Sequence, residues 1–111
     1  MNIHCEDYDH VTVIGLGGEF TADHADLFRK QIDDRLERKV RFFVVDLERT
    51  TFIDSKGLES LLWLQEQCDE HLGQVRLCKP DETCKKILNI TRLDGRFDVF
   101  ADVSEAVKTM R

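Results

Sequence analysis

Apolar positions recur along the chain with two different periods, and the changes of period mark its elements. Ile3 and Cys5 alternate with Asn2, His4 and Glu6, the pattern of a half-buried strand. Glu6-Asp7-Tyr8-Asp9-His10 is polar and turn-like, and Val11 to Leu16 reads as a second strand. So short a connection predicts an antiparallel hairpin. The period then lengthens. Ala22, Ala25, Phe28, Ile32 and Leu36 fall at helical spacing, with Arg29, Lys30, Asp33, Asp34, Arg35, Glu37 and Arg38 on the wet face. This predicts a helix over 22–38, with Thr21 as its N-cap. Phe42 to Val45 is a continuous apolar run without a polar alternate face, which predicts a central strand buried on both sides. Glu48-Arg49-Thr50-Thr51 reads as a turn. Beyond it, Leu58, Leu61, Leu62, Cys68 and Leu72 share a helical face, with Leu64 at its edge. That helix should run from Ser55 or Lys56 to His71, with Gly73 as its C′ residue.

The remainder repeats the alternation. Gln74-Val75-Arg76-Leu77-Cys78 reads as a strand. Pro80, Asp81 and Glu82 suit the first turn of a third helix whose apolar edge is Cys84, Ile87 and Leu88. Asn89 to Gly95 is a turn region with Ile90 and Leu93 expected inward. Arg96 to Phe100 is a short strand. Asp102-x-x-Glu105 is a capping box for a last helix, with Val103, Ala106, Val107 and Met110 inward. The order is ββαβαβαβα, an α/β fold. After the opening hairpin it implies right-handed crossovers and a mixed, mostly parallel sheet with helices packed on it. Val13, Ile32, Leu36, Val44, Val45, Leu61, Leu62, Leu77 and Leu88 are the expected core. Trp63 lies about 100° around its helix from Leu62. It is either covered by the neighbouring helix or an anchor for a partner.

Composition narrows this further. A length of 111 residues fits one domain, over 1–111, with no linker and no internal repeat. Sixteen Lys and Arg against 22 Asp and Glu leave a net charge of −6, which argues against nucleic acid or an anionic membrane as partner. No apolar run approaches the roughly 18 to 20 residues of a membrane span. The N-terminus has no basic segment followed by an apolar one, so no signal peptide and a cytoplasmic location are expected. Cys5, Cys68, Cys78 and Cys84 form no Cys-x-x-Cys pair, which predicts neither a disulfide framework nor a metal site. Gly15, Gly17 and Gly18 lack phosphate-loop spacing, and Glu19 puts a negative charge where a phosphate would sit. They suit a strand end and a turn.

The stretch with most chemical character is Phe52-Ile53-Asp54-Ser55-Lys56-Gly57-Leu58, where a hydroxyl meets a helix start. A Ser nucleophile on an elbow would have Gly two positions earlier, and Ile53 stands there. None of His4, His10, His24 and His71 is placed as a base by a motif. By residue type alone, Asp54 and Ser55 are N-cap residues. The first-turn N–H groups and the helix dipole would also favour an anion there.

This stretch resembles the phosphoacceptor loop of STAS domains, the family that includes bacterial anti-sigma factor antagonists: an apolar pair, Asp-Ser, a small residue, then Gly-Leu. Gly18-Glu19-Phe20-Thr21 is similar to the family's Gly-Glu-Leu-Asp element. Lys85 to Leu93 is similar to its third helix and following turn. The resemblance implies a single STAS domain acting as a regulatory binding protein without enzymatic activity or cofactor. It implies Ser55 as the phosphoacceptor and Glu19, Thr21, Asp54, Ser55, Lys56 and Gly57 as partner-binding residues. The implied partners are an anti-sigma factor that is itself a serine kinase, and a metal-dependent serine phosphatase that resets the switch. The alternative it implies is a binding module that is never phosphorylated, such as the cytoplasmic subunit of a lipid transporter. Lys56 departs from the family pattern. It puts a bulky cation where a kinase must reach, and a cation there could also pair with a phosphate on Ser55.

Overall fold

A computed structural model describes residues 2–110. The strands are β1 (Asn2–Tyr8), β2 (Val11–Phe20), β3 (Phe42–Asp46), β4 (Thr50–Ile53), β5 (Gln74–Cys78) and β6 (Asp98–Phe100). The helices are α1 (Ala22–Glu37), α2 (Ser55–Glu70), α3 (Glu82–Ile90) and α4 (Val103–Lys108), with a 3-10 turn at Leu93–Gly95. The sheet order is β1-β2-β3-β5-β6, with β4 also on β2. Only β1 and β2 pair antiparallel; the other pairings are parallel. The expected mixed sheet and the alternation of strands with helices are therefore present, and β3 is central.

The structure adds one short strand. Thr50 and Thr51, expected in a turn, belong to β4. The first half of β2 pairs with β3 and its last residues pair with β4, across a bulge between Gly18 and Glu19. The chain thus leaves β2 after Asp46 and rejoins it at Thr50. Two bonds hold the detour: the Leu47 N–H donates to the Cys78 carbonyl at 2.9 Å, and the Gly18 N–H to the Arg49 carbonyl at 2.9 Å. Four residues with only two apolar side chains carry no strand signal of their own. The β1–β2 hairpin is also tighter than expected, because Glu6 to Tyr8 continue the strand and only Asp9 and His10 turn.

Period-2 alternation divides the core between two faces. Ile14, Leu16, Phe43 and Val45 face α1, α2 and α3 together with Phe20, Phe28, Ile32, Leu61, Leu64, Leu77 and Leu88. Val11, Val13 and Val44 face α4, with Cys78, Ala106 and Met110. Seven of the nine expected core residues are buried, while Leu36 and Leu62 are half-buried. The apolar stripe of α2 is centred on Leu61, Leu64 and Cys68, about 60° around the helix from the centre of the expected face. Leu64 is fully buried, and Leu58 and Leu62 lie at the margin of the stripe.

Leu72 is 85% exposed, because it lies past the helix end with φ of +59°. It is the C′ residue of a Schellman closure, in which the Gly73 N–H donates to the Cys68 carbonyl at 2.7 Å. Gly73 is required for another reason: a Cβ there would lie 1.8 Å from the Arg41 carbonyl oxygen. Ile90 is exposed at the end of α3, and Leu93 and Phe97 fill the space beneath instead. The start of α4 is capped as expected, Asp102 accepting from the Glu105 N–H at 2.8 Å, whereas α3 starts later than expected: Asp81 is its N-cap, accepting from the Cys84 N–H at 2.8 Å, and Pro80 precedes the helix.

Leu64→Ala should cost about 2 to 5 kcal/mol in chemical denaturation, the range for truncating a buried Leu. Leu62→Ala should cost less. Equal losses would place both side chains in the same packing environment.

Candidate functional site

The two sequence elements that drew attention, more than thirty residues apart, become paired strands. Glu19 sits opposite Phe52 and Phe20 opposite Ile53. The pairing continues past the strand end, where the Asp54 N–H donates to the Phe20 carbonyl at 3.2 Å. Helices α1 and α2 therefore start side by side at one end of the sheet.

Asp54 ties these starts together. Its Oδ1 accepts from the Gly57 N–H at 2.8 Å, which caps α2. Its Oδ2 accepts from the Ala22 N–H at 3.2 Å, which serves the first turn of α1. One carboxylate thus takes up free donors from two helices and faces the positive end of both dipoles. Thr21 occupies the N-cap position of α1 with extended backbone but makes no side-chain capping bond. Its hydroxyl lies 3.4 Å from His24 Nδ1 instead. The acceptor that Thr21 was expected to supply comes from Asp54.

Gly57 lies beneath this junction and is buried. A Cβ at Gly57 would sit 2.3 Å from the Phe20 carbonyl oxygen and 2.8 Å from Ile53 Cγ2. Backbone against backbone leaves no room for relief, so only Gly lets the first turn of α2 approach β2 this closely.

Ser55 is the first residue of α2 and is exposed. The cap role belongs to Asp54, and the Ser55 hydroxyl makes no hydrogen bond to any described residue. Lys56 is exposed too, with its Nζ 3.2 Å from Glu59 Oε2 along the helix. Glu19 is exposed at the end of β2. The structure therefore brings Glu19, Thr21, Asp54, Ser55, Lys56 and Gly57 to one end of the sheet. Of these, Glu19, Ser55 and Lys56 are open to solvent, Thr21 and Asp54 are half-buried, and Gly57 is internal.

Trp63 is half-buried against the core, with the Arg29 guanidinium of α1 5.1 Å from its ring centre. The neighbouring helix covers it. Phe52, the first of the apolar pair in the family-like pattern, is the accessible aromatic at this end, with 41% of its surface exposed. Strand alternation across β4 separates the pair, Ile53 inward and Phe52 outward. That signal was hidden while Thr50 and Thr51 read as a turn.

The STAS domain family matches residues 2–106, and the chain belongs to that family. It is 24% identical over 94 residues to an anti-sigma F factor antagonist of Paenibacillus polymyxa, covering 84% of this chain and 80% of the relative. The crystal structure of a Thermotoga maritima protein provisionally named an anti-sigma factor antagonist superposes with a TM-score of 0.91 at 24% identity, covering 98% of this chain and 94% of that one. The Bacillus cell fate determinant SpoIIAA in its phosphorylated form superposes with a TM-score of 0.78 at 22% identity, covering 99% of this chain and all of that one. These likenesses establish a STAS fold and a kinship with anti-sigma factor antagonists. No helix among the described residues is long and apolar enough to cross a membrane.

Because Asp54 and not Ser55 holds the helix start, the two should separate in thermal or chemical denaturation. Asp54→Ala should cost about 1 to 2 kcal/mol, the loss of a cap. Ser55→Ala should stay within about 0.5 kcal/mol of the parent, as exposed substitutions do. A loss on Ser55→Ala as large as on Asp54→Ala would return the capping role to the hydroxyl.

Proposed function

We propose that this chain is an anti-sigma factor antagonist that binds an anti-sigma factor of the serine-kinase type and is switched by phosphorylation of Ser55. The observation that carries this reading is the Ser55 hydroxyl: exposed, at a helix start, and with no bond to give up before it enters a kinase site. A phosphate on it would carry about −1.5 to −2 charges. The N-terminal dipole of α2 would offset that charge locally, and Asp54 would still cap the helix, so the fold tolerates the modification. A docking partner would not, because the added charge stands beside Asp54 and Glu59 on a surface that must lose water to bind. Phe52 and Glu19 flank this surface from β2 and β4, and Phe52 supplies the apolar anchor that such contacts use.

On this reading the protein acts by binding and not by catalysis. Ser55 has no base within hydrogen-bonding distance among the described residues. The unphosphorylated chain holds the anti-sigma factor and so frees its sigma factor. A metal-dependent serine phosphatase resets the phosphorylated form, and the exchange takes place in the cytoplasm. Lys56 is engaged by Glu59, which draws its amine along the helix and leaves the hydroxyl open.

Incubation with the serine-kinase anti-sigma factor encoded beside it, and ATP, should add one phosphate to Ser55 by mass spectrometry and none to the Ser55→Ala variant. Ser55→Asp should weaken the partner roughly tenfold, equivalent to about 1.4 kcal/mol. Lys56→Ser should raise the rate of phosphorylation if the side chain obstructs the kinase. No phosphate on Ser55, together with full binding by Ser55→Asp, would overturn the switch. Separately, Phe52→Ala should weaken partner binding by about 2 kcal/mol with little change in melting temperature. Unchanged binding would remove Phe52 from the docking surface.

A further inference from the structure

We infer that β1 is a homodimer interface, paired antiparallel with β1 of a second copy about a two-fold axis through Cys5. The strand is the first in the sheet order, so its outer side has no neighbouring strand. Such an edge is a template for another chain unless something blunts it. The hairpin fixes which backbone groups it offers. Tyr8 faces Val11 across a two-residue turn, so this pair exchanges both of its hydrogen bonds inward. The same inward phase then holds for Glu6, His4 and Asn2, opposite Val13, Gly15 and Gly17. The N–H and C=O groups of Ile3, Cys5 and Asp7 point outward.

These outward groups select one register. Centred on Cys5, the pairing sets Cys5 against Cys5 of the second copy and Ile3 against Asp7 in both directions. Every outward group then finds a partner. Between them, in the closely spaced non-bonded pairs, His4 falls opposite Glu6 of the second copy and Glu6 opposite its His4. Both side chains are accessible, at 76% and 49%, and already meet within one strand at 3.2 Å, so they re-pair across the axis without a desolvation penalty from burial. A shift to an axis through His4 would oppose His4 to itself. A shift to Glu6 would oppose two carboxylates. The shift to Glu6 would also set Ile3 opposite Asp9, which lies in the turn.

The remaining charge on the strand does not oppose association. The Asp7 carboxylate lies on the α1 side, accepting from the Thr12 hydroxyl at 2.7 Å and 3.6 Å from the Arg35 guanidinium. A second copy is therefore the occupant that this edge fits, through self-complementary His4–Glu6 pairing and hydrogen-bond phase, in the two-fold arrangement commonest among oligomers.

The test is sedimentation or light scattering of the full chain as its concentration is raised. The parent should pass from the mass of one chain to that of two. Glu6→Lys should remain at one, with the far-ultraviolet circular dichroism unchanged. Combining Glu6→Lys with His4→Glu should restore the two-chain mass, since this sets a carboxylate opposite the new ammonium across the axis. A short bismaleimide should join two parent chains through Cys5. Burial pushes the Cys5 thiol up as well, but Cys5 is only half-buried, whereas the other three are buried and pushed up to about 12, so Cys5 is the thiol the reagent reaches. Cys5 of the two copies would stand about 5.5 Å apart between Cα atoms. A parent that stays at one chain, a dimer indifferent to Glu6→Lys, or a double variant that fails to recover would each overturn the inference.

Discussion

The Asp54 carboxylate is the contact on which the candidate functional end of this molecule depends. It accepts from Gly57 with one oxygen and from Ala22 with the other, so two helices separated in sequence start from a single anion. Hydrogen bonds to a charged acceptor are worth about 1.5 to 3 kcal/mol each, more than neutral ones. The arrangement needs the first turn of α2 to lie against the end of β2. Only the missing side chain at Gly57 lets the Phe20 carbonyl come that close. It also needs β4, whose Ile53 pairs with Phe20 and delivers Asp54 to the junction. The short strand, the glycine and the aspartate therefore act as one device.

This device separates two roles that residue type alone would merge. Asp and Ser side by side at a helix start compete for the same cap. Here Asp54 takes it with a 2.8 Å bond, and Ser55 is left as the first helical residue with its hydroxyl in water. A chemical change at Ser55 then alters the surface without loosening the scaffold. Two turns further along α2, Trp63 is half-buried against the core with the Arg29 guanidinium of α1 over its ring, a contact between the two helices.

The opposite face of the sheet is organised with less material. Six-residue α4 covers Val11, Val13 and Val44 through Ala106 and Met110. Arg76 fastens its far end, donating to the Ala106 carbonyl at 3.0 Å and to the Thr109 hydroxyl, with its guanidinium 4.9 Å from the centre of the Phe100 ring. A cation at a helix C-terminus complements the carbonyls left free there. On the wider face, the Phe20 and Phe28 rings meet tilted at 5.0 Å beside the start of α1, so the larger core lies under the candidate functional end.

What the sequence determined by itself is what depends on near neighbours. Period-2 and period-3.6 patterns placed the long strands and all four helices, because side-chain direction is set by the local backbone. The cap at Asp102 was legible for the same reason: donor and acceptor lie three residues apart. The Asp-Ser-x-Gly-Leu stretch was legible as a helix start, and family likeness suggested the role proposed for it. Tertiary structure decided whatever needed a partner far along the chain. β4 exists because β2 continues past β3, and a four-residue strand cannot announce itself. Thr21 lost its capping bond to an aspartate 33 positions later, whose second oxygen reaches Ala22. Gly73 is small because Arg41 passes over it, not because its backbone needs a left-handed turn; Leu72 takes that conformation instead. Leu64 rather than Leu62 went inside because the neighbours on α1 and the sheet, not the leucine spacing, fixed how far α2 is rotated. Phe52 became a surface residue only once strand pairing assigned Ile53 to the core. In each case the deciding contact joins segments that the chain brings together only by folding.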